Sequence, residues 1–570
     1  MPLSIDGLGE GDVGAWYRRA DRAWGDVLDQ TAAAFPDREA VVFGDQRLSY
    51  SELRSTVDRF ARALIAIGVH YGDQVAVWMT GCPEWVIAQF AIYKIGARLV
   101  PLNTRFKAGE VQYSLAHSDA TTLILQSTFL NGSIPALDML REICTELDCA
   151  APGALHSENL PRLRNVVCLG AHCCPGVLSW SDVLAAGLDV SKADLARAQE
   201  VVNGDDICQI MYTSGTTGAP KGAMIAHRTN QCGLAMLAKR VHMSSSDTIL
   251  AALPLFTNFG CMLSVAVAIC YGARMVIQAT FDPEESLRLI EREQVTILLG
   301  TPTMFIMLQQ HPKFAQFDVR SLRSGIIGGA PAPVSVIEAM ANRLGLKDLL
   351  GGYGLVEGGG VSSATLENDT LDHVATTVGR PMPFCEVRIV NTATGQPAVP
   401  EESGEICVRE RFRFSHHFKS YYKDPIRTAE TIDSDGWLHT GDLGRIDDQG
   451  YLVITGRLKD MYICGGFNVY PAEVENALHR HPGIKQAAVI GVPDVRLGEV
   501  GMAFVVLNAD ATIAADAIIG FCRRQMANTK VPRFVHFLDQ LPLTATGKVQ
   551  KFVLREVAER LLADRVDPNQ

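Results

Sequence analysis

The stretch RMVIQATFDPEESLRLIEREQVTILL, residues 274–299, decides the fold class. Arg274 to Gln278 reads as a strand. Asp282 then offers a helix cap, Pro283 suits the first helical position, and Glu285 stands where a capping box needs its acid. The helix ends near Gln294, and Val295 to Leu299 is a continuous apolar strand. Strand, helix and strand at this length form a βαβ unit, which predicts a parallel sheet covered by helices. Ligands of such sheets sit in loops beyond the carboxyl ends of the strands.

The same alternation runs through the preceding sequence. Apolar residues fall at helical spacing from Tyr50 to Ile67, with Gly68 as the stop. Gln74 to Met79 reads as a strand, and Pro83 to Ile95 as a helix stopped by Gly96. After about residue 456 the texture changes. A short helix (Pro471 to Leu478), two strands (Gln486 to Val492, Gly501 to Leu507), a helix (Ala514 to Met526), a strand (Phe534 to Leu538) and a helix from Phe552 make a compact α+β unit. The expectation is an α/β protein. A large N-terminal domain of several subdomains, residues 1–456, has mostly parallel sheets covered by helices, and a small mobile α+β domain occupies 457–570. The connector is Gly456-Arg457-Leu458-Lys459-Asp460.

Bulk properties narrow the function. A chain of 570 residues exceeds one hydrophobic core. Its 52 basic against 63 acidic residues leave a net charge of −11, with no electrostatic reason to grip a nucleic acid. The 14 cysteines include no Cys-x-x-Cys pair, and Asp6, Glu10 and Asp12 stand where a signal peptide needs basic and apolar residues. Reduced thiols in the cytoplasm are expected. The most apolar stretch, Gly260 to Gly272, is too short for a bilayer span of about 20 residues. It reads as a buried helix or a pocket wall.

The chemistry begins at Met211-Tyr212-Thr213-Ser214-Gly215-Thr216-Thr217-Gly218-Ala219-Pro220-Lys221-Gly222. Glycines let backbone amides approach an anion, four hydroxyls can donate to its oxygens, and Lys221 adds a positive charge. A Walker loop requires Gly-Lys-Ser/Thr, and here Pro220 precedes the lysine and Gly222 follows it. This is a different phosphate loop, delivered by a strand over Ile207 to Met211.

With this signature the chain resembles the adenylate-forming superfamily of acyl-CoA synthetases, peptide-synthetase adenylation domains and luciferases, from about Trp24 to Arg555. The resemblance implies that Thr213, Ser214, Gly215, Thr216, Thr217, Gly218 and Lys221 bind ATP. Further elements follow in the family's order. In Gly352-Tyr353-Gly354-Leu355-Val356-Glu357, it implies that Tyr353 stacks on adenine and Glu357 holds the Mg2+ bridging the ATP phosphates. A carboxylate is the right hard ligand for that ion. The family usually has Thr where this chain has Val356, so a hydroxyl contact to the α-phosphate is lost. Gly329, Ala330 and Pro331 resemble the turn beside the nucleotide. Asp442 matches the ribose-binding carboxylate, Arg457 a nucleotide-binding arginine, and Lys459 the hinge. Lys548, after Thr546-Gly547, matches the lysine serving the first half-reaction. Its cation would bridge the attacking carboxylate and the α-phosphate. Lys548, Glu357 and Lys221 are the expected catalytic set.

In relatives the loop at Gly465 and Gly466 lines the pantetheine channel of coenzyme A. The acyl group is expected against Phe256, Thr257, Gly260 and Gly328, with Thr257 where relatives often carry His. The implied activity is ATP-dependent synthesis of an acyl-CoA from a carboxylic acid, fatty or otherwise apolar, through an acyl-adenylate. ATP, Mg2+ and coenzyme A are the implied cofactors and co-substrates. Loading of a carrier protein is the second reading, and a non-catalytic nucleotide binder the third. Peripheral membrane contact and a homodimer stay open.

Overall fold

The computed structural model describes residues 22–129, 132–170, 174–213, 220–330, 332, 334–411, 418–465, 467–509, 511–543 and 549–563. The unit at 274–299 forms as its sequence dictates. Arg274–Ile277 is a strand, Pro283–Glu293 a helix and Ile297–Gly300 a strand. Asp282 caps the helix by accepting from the Glu285 amide at 2.8 Å. The reciprocal half of the expected capping box is absent, because the Glu285 carboxylate pairs with Arg288 one turn on. Gln294 closes the helix in the left-handed region, at φ 51°.

The two strands do not pair with each other. Thr248–Ala251 lies between them, parallel to both. They belong to a nine-stranded sheet running from Arg380–Pro381 through Ser363–Ala364, Asp348–Tyr353, Ser324–Gly328, Ile297–Gly300, Thr248–Ala251, Arg274–Ile277 and Glu39–Phe43 to Gln46–Ser49. All pairs from Asp348–Tyr353 to Glu39–Phe43 are parallel. A seven-stranded sheet is ordered Leu178–Ser179, Asn165–Leu169, Ala120–Gln126, Gln74–Trp78, Arg98–Pro101, Ile207–Thr213, Lys221–Ala226. Only its last pair is antiparallel. One buried cluster, including Val57, Phe60, Trp85, Phe90, Leu250, Ile290 and Leu298, fills the space shared by the two sheets and their helices.

Two elements explain how that core closes. The helix Tyr50–Ala66 starts with a full capping box from Ser49 and Glu52 and buries Leu53, Val57, Phe60 and Leu64 at helical spacing. The run predicted as a buried helix or pocket wall is wound as a π-helix over Phe259–Ala266 before an α-helical turn, Val267–Tyr271, that ends at left-handed Gly272. Such winding is rare and concentrates at functional sites.

A four-stranded antiparallel sheet, Cys385–Val390, Gly404–Glu410, Leu438–Ile446 and Leu452–Arg457, completes the larger part. The small C-terminal domain follows. Its strands Ile484–Asp494 and Gly498–Leu507 pair antiparallel, and Phe534–Phe537 joins them in parallel. The helices Pro471–His479, Ala515–Gln525 and Lys551–Ala563 cover this sheet over a core of its own, with Tyr462, Val474, Leu478, Val489, Phe504, Ile518 and Leu554. Among the described residues no helix is long and apolar enough to cross a membrane.

Candidate active site

The phosphate-loop motif bridges two adjacent strands. Ile207–Thr213 and Lys221–Ala226 are antiparallel, and Thr213 and Lys221 are their last cross-strand partners. Ser214, Gly215, Thr216, Thr217 and Gly218 lie outside the described residues, and so do Pro331, Gly466 and Lys548. The flanks carry the geometry. Thr213 Oγ1 donates to Glu357 Oε1 at 3.1 Å, and Lys221 Nζ stands 4.8 Å above the ring of Tyr421.

Glu357 comes from the other parallel sheet. The strand Asp348–Tyr353 ends in a turn in which Gly358, Gly359 and Gly360 donate back to Leu355, Val356 and Leu355 carbonyls. Gly354 is obligatory there, since a Cβ would meet the Gly360 carbonyl oxygen at 2.2 Å. The Glu357 carboxylate is buried, and Oε1 accepts a second bond from Tyr421 Oη at 2.9 Å. One carboxylate oxygen is thereby held by two donors. A single carboxylate oriented this way fits Mg2+, which takes one or two protein carboxylates and fills its octahedron from phosphates and water.

Tyr421 was not foreseen. It lies on a segment that adds to the Lys221–Ala226 strand, where Lys419 and Tyr422 amides donate to Met224 and Gly222, and Phe418 donates to the Glu357 carbonyl. The adjacent pair Tyr421-Tyr422 was the available signal, because alternate residues of an extended segment face opposite sides. Tyr421 faces Glu357. Tyr422 faces away and donates to Asp119 at 2.8 Å; burial, with that carboxylate, pushes its phenol up to about 12.

A second polar group is built on the antiparallel sheet. Asp442 and Arg457 are cross-strand partners, and Arg457 Nε meets Asp442 Oδ1 at 2.9 Å. Tyr353 donates to the other oxygen, Oδ2, at 2.8 Å; burial first and the Asp442 charge second hold its phenol well above the ordinary range. Glu405 braces the turn, accepting from the Gly441 amide at 3.1 Å and meeting His439 Nδ1 at 2.8 Å. With Cys407, these side chains are the one close group of metal-ligand types among the described residues. Their polar atoms already bond one another and the Gly441 amide, and burial pushes the Cys407 thiol up to about 12. Lys459, two residues beyond Arg457, is exposed at its surface; partial desolvation, then the Arg457 charge, lowers its ammonium pKa.

Gly328 pairs with Gly352, so the turn at Gly329 (φ 84°) and Ala330 borders the Tyr353 strand. A Cβ at Gly328 would stand 3.7 Å from the Phe259 ring. Thr257 spends its hydroxyl on the chain, donating to the Pro254 carbonyl at 2.7 Å and accepting from the Gly260 amide at 3.0 Å. Gly260 allows that turn, because a Cβ would meet the Pro254 oxygen at 2.2 Å. Phe256 is half-buried beside it. In the small domain, exposed Gly465 is left-handed and donates to the Leu497 carbonyl at 2.8 Å.

A carboxylate between two donors, a cation beside it and a Tyr–Asp–Arg group nearby suit a nucleoside polyphosphate. The family profile described as "AMP-binding enzyme" matches residues 28–422, and its "AMP-binding enzyme C-terminal domain" matches residues 473–548. The chain belongs to the AMP-binding enzyme family. It is 40% identical to the putative acyl-CoA synthetase YngI of Bacillus subtilis (strain 168), over 93% of this chain and 96% of that protein. It is 41% identical to a methyl-dioxo-octahydro-indenyl propanoyl:CoA ligase of Rhodococcus jostii (strain RHA1), over 93% and 98%. Against the mitochondrial medium-chain acyl-CoA ligase ACSF2 of Bos taurus identity is 35%, over 99% and 92%. The crystal structure of ATP-bound MatB from Rhodopseudomonas palustris superposes with a TM-score of 0.80 at 28% identity, covering 94% of this chain and 99% of that one.

Proposed function

We propose that the Thr213–Glu357–Tyr421 and Tyr353–Asp442–Arg457 groups are the polyphosphate and nucleoside halves of one site for acid activation. The observation that carries this reading is the meeting of Thr213 and Glu357, delivered by different parallel sheets, at 3.1 Å. The chain is an ATP-dependent, AMP-forming acid–thiol ligase. Its acid attacks the α-phosphate to give an acyl-adenylate and pyrophosphate, and the thiol of coenzyme A then displaces AMP.

Glu357 would hold Mg2+ by the lone pairs left free of Thr213 and Tyr421. When bound, that ion neutralises charge on the phosphates. Lys221 adds fixed positive charge on the same side. Asp442 has two oxygens suited to ribose hydroxyls, with Tyr353 and Arg457 fixing its orientation. The Tyr353 ring offers its face to a purine. Gly465 and Gly466 suit the thin pantetheine arm.

The small domain, from residue 457, would turn about Lys459 to present Lys548 for adenylation and the Gly465 loop for thioester formation. Its separate core supports movement as a unit. The described cysteines are free and nearly all buried, which favours a cytoplasmic location.

ATP–pyrophosphate exchange over a panel of carboxylic acids tests the reading, with thioester formation followed when coenzyme A is added. Exchange with some acid and thioester on adding coenzyme A are expected. Exchange without thioester would mark a carrier-loading ligase, and no exchange with any acid would refute the activity.

A further inference from the structure

The turn that carries Asp442 is held by side chains of the types that ligate zinc. Cys407, on the strand Gly404–Glu410, is the cross-strand partner of His439 on Leu438–Ile446. The next pair joins Glu405 to Leu443, so the second strand has two more residues than the first between these pairs. The excess forms a bulge over Thr440, Gly441 and Asp442, and Glu405 comes in beside the Cys407–His439 pair. His439 Nδ1 stands 3.5 Å from Cys407 Sγ and 2.8 Å from Glu405 Oε2. One ligand atom from each of the three residues lies within 4.8 Å of the others.

Distances and surroundings both suit the ion. A tetrahedral zinc with sulfur at about 2.3 Å and nitrogen at about 2.0 Å sets those two ligands about 3.5 Å apart, which is their separation here. The Nδ1–Oε2 contact has to open by about half an ångström as the metal replaces the proton between them. The other ring nitrogen, Nε2, faces Asp433 Oδ2 at 3.6 Å, as a ligating imidazole commonly faces a carboxylate. Asp433 is itself fixed by the Asp435 and Trp437 amides. Arg388, cross-strand from Cys407 on its other side, donates to Asp433 at 3.2 Å. A dication would therefore find its own counter-charges in the thiolate and Glu405. Cys407 is buried in a small apolar cluster with Val390 and Trp437. The His439 and Glu405 side chains are 31% and 14% exposed, which opens the group to solvent and gives water the fourth position.

We propose that Cys407, His439 and Glu405 bind Zn2+, and that the bound ion weakens ATP binding through Asp442. As the metal enters, the thiol gives its proton to water and the sulfur ligates as thiolate, with nothing oxidised or reduced. Glu405 supplies the link, because its other oxygen, Oε1, accepts from the Gly441 amide at 3.1 Å. Drawing Glu405 and His439 onto an ion displaces that amide, and Asp442 is the next residue. The coupling rests on the reading of Asp442 as the ribose carboxylate; the metal site does not.

Titration of the nucleotide-free enzyme with Co2+ tests the site. A single equivalent should raise a sulfur-to-cobalt absorption in the near ultraviolet, and Zn2+ should remove it by displacement. Cys407→Ser should lack the band. His439→Asn should keep it but weaken binding about tenfold or more. No band in the wild type, or the same band in Cys407→Ser, would overturn the site. The coupling is read from ATP–pyrophosphate exchange at saturating Mg2+, without coenzyme A, whose thiol would take the metal. Zn2+ should raise the wild-type KM for ATP several-fold, reversibly with a chelator, and leave Cys407→Ser unchanged. Exchange by metal-free Cys407→Ser at the wild-type rate shows that the variant is folded. An equal rise in both proteins would assign the effect to competition with Mg2+ and overturn the coupling. No exchange by either protein with any acid would instead refute the synthetase reading and leave the cobalt result standing.

Discussion

Glu357 is held by two donors, Thr213 and Tyr421, which are separable by mutation. Thr213→Val and Tyr421→Phe each remove one bond, so each should slow adenylation about tenfold. Glu357→Gln should cost about a hundredfold or more, because a neutral amide neither binds the cation nor opposes its charge. ATP–pyrophosphate exchange measures all three, and a Tyr421→Phe rate equal to wild type would remove Tyr421 from the site. Val356, one residue earlier, is half-buried and packs on the main core. Val356→Thr restores a hydroxyl of the same shape and should raise the adenylation rate about fivefold; an unchanged rate and ATP affinity would mean the phosphate is held by other groups. A buried histidine adds to acid sensitivity. His227 is fully buried and accepts at Nδ1 from the Trp24 amide at 3.2 Å; burial brings its imidazole down to about 3 from 6.5. The neutral ring's contribution is complete above the ordinary pKa and is lost as pH falls towards 3. The loss approaches roughly 1.4 kcal/mol per pH unit in that window. Denaturant unfolding at pH 7.5 and 5.5 should show wild type losing more stability than His227→Gln, and equal losses would refute the assignment.

One helix, Ala108–His117, holds both ends of the phosphate-loop hairpin. Tyr113 donates to the Pro220 carbonyl at 3.0 Å, while Tyr212, just before Thr213, donates to the Ser114 carbonyl at 3.3 Å and meets His117 Nδ1 at 2.9 Å. Tyr113 and His117 stack one turn apart, 5.3 Å between ring centres. Tyr113→Phe keeps the ring and frees the loop's far end. The KM for ATP should rise several-fold with the melting temperature unchanged, and a fall in melting temperature without a KM effect would make the bond merely structural. This helix also shows where sequence reading stops. The strands and the small domain were readable because glycine punctuation and period are local, whereas Glu357, Asp442 and Arg457 look like ordinary surface charges alone and were singled out only by the family resemblance of their motifs. The pairing of Tyr113 with Pro220 and of Tyr421 with Glu357 was not readable, since each joins segments far apart whose residue types look ordinary alone. The Glu285 capping box was overread for a similar reason, since Arg288 competes for the same carboxylate.

At the scale of the whole molecule, the two parts are held together in different ways. The larger part is tied by long-range bonds such as the pairing of buried Lys94 with Asp29 and Asp58, which docks the helix Trp24–Ala34 on its neighbours. Lys94→Ala would leave Asp29 and Asp58 to the more exposed Arg54 alone and should cost about 2 kcal/mol in denaturant unfolding; a loss near zero would show that Arg54 and water replace the ammonium. The small domain is joined differently. Leu458 donates to the Gly441 carbonyl and Arg555 reaches Asp460 at 3.2 Å, so its last helix meets the connector rather than the larger core. The proposed rotation of this lid would present Lys548 for one half-reaction and the Gly465 loop for the other. Lys548→Ala separates them. With ATP and acid the variant should show no pyrophosphate exchange, since it lacks the cation proposed to bridge carboxylate and α-phosphate. Supplied with a synthetic acyl-adenylate and coenzyme A, it should form thioester at close to the wild-type rate. Loss of both reactions would mean that one lid position serves the entire cycle, and retention of both would move the adenylation cation to Lys551, which pairs with Glu475 at 2.8 Å instead of standing free.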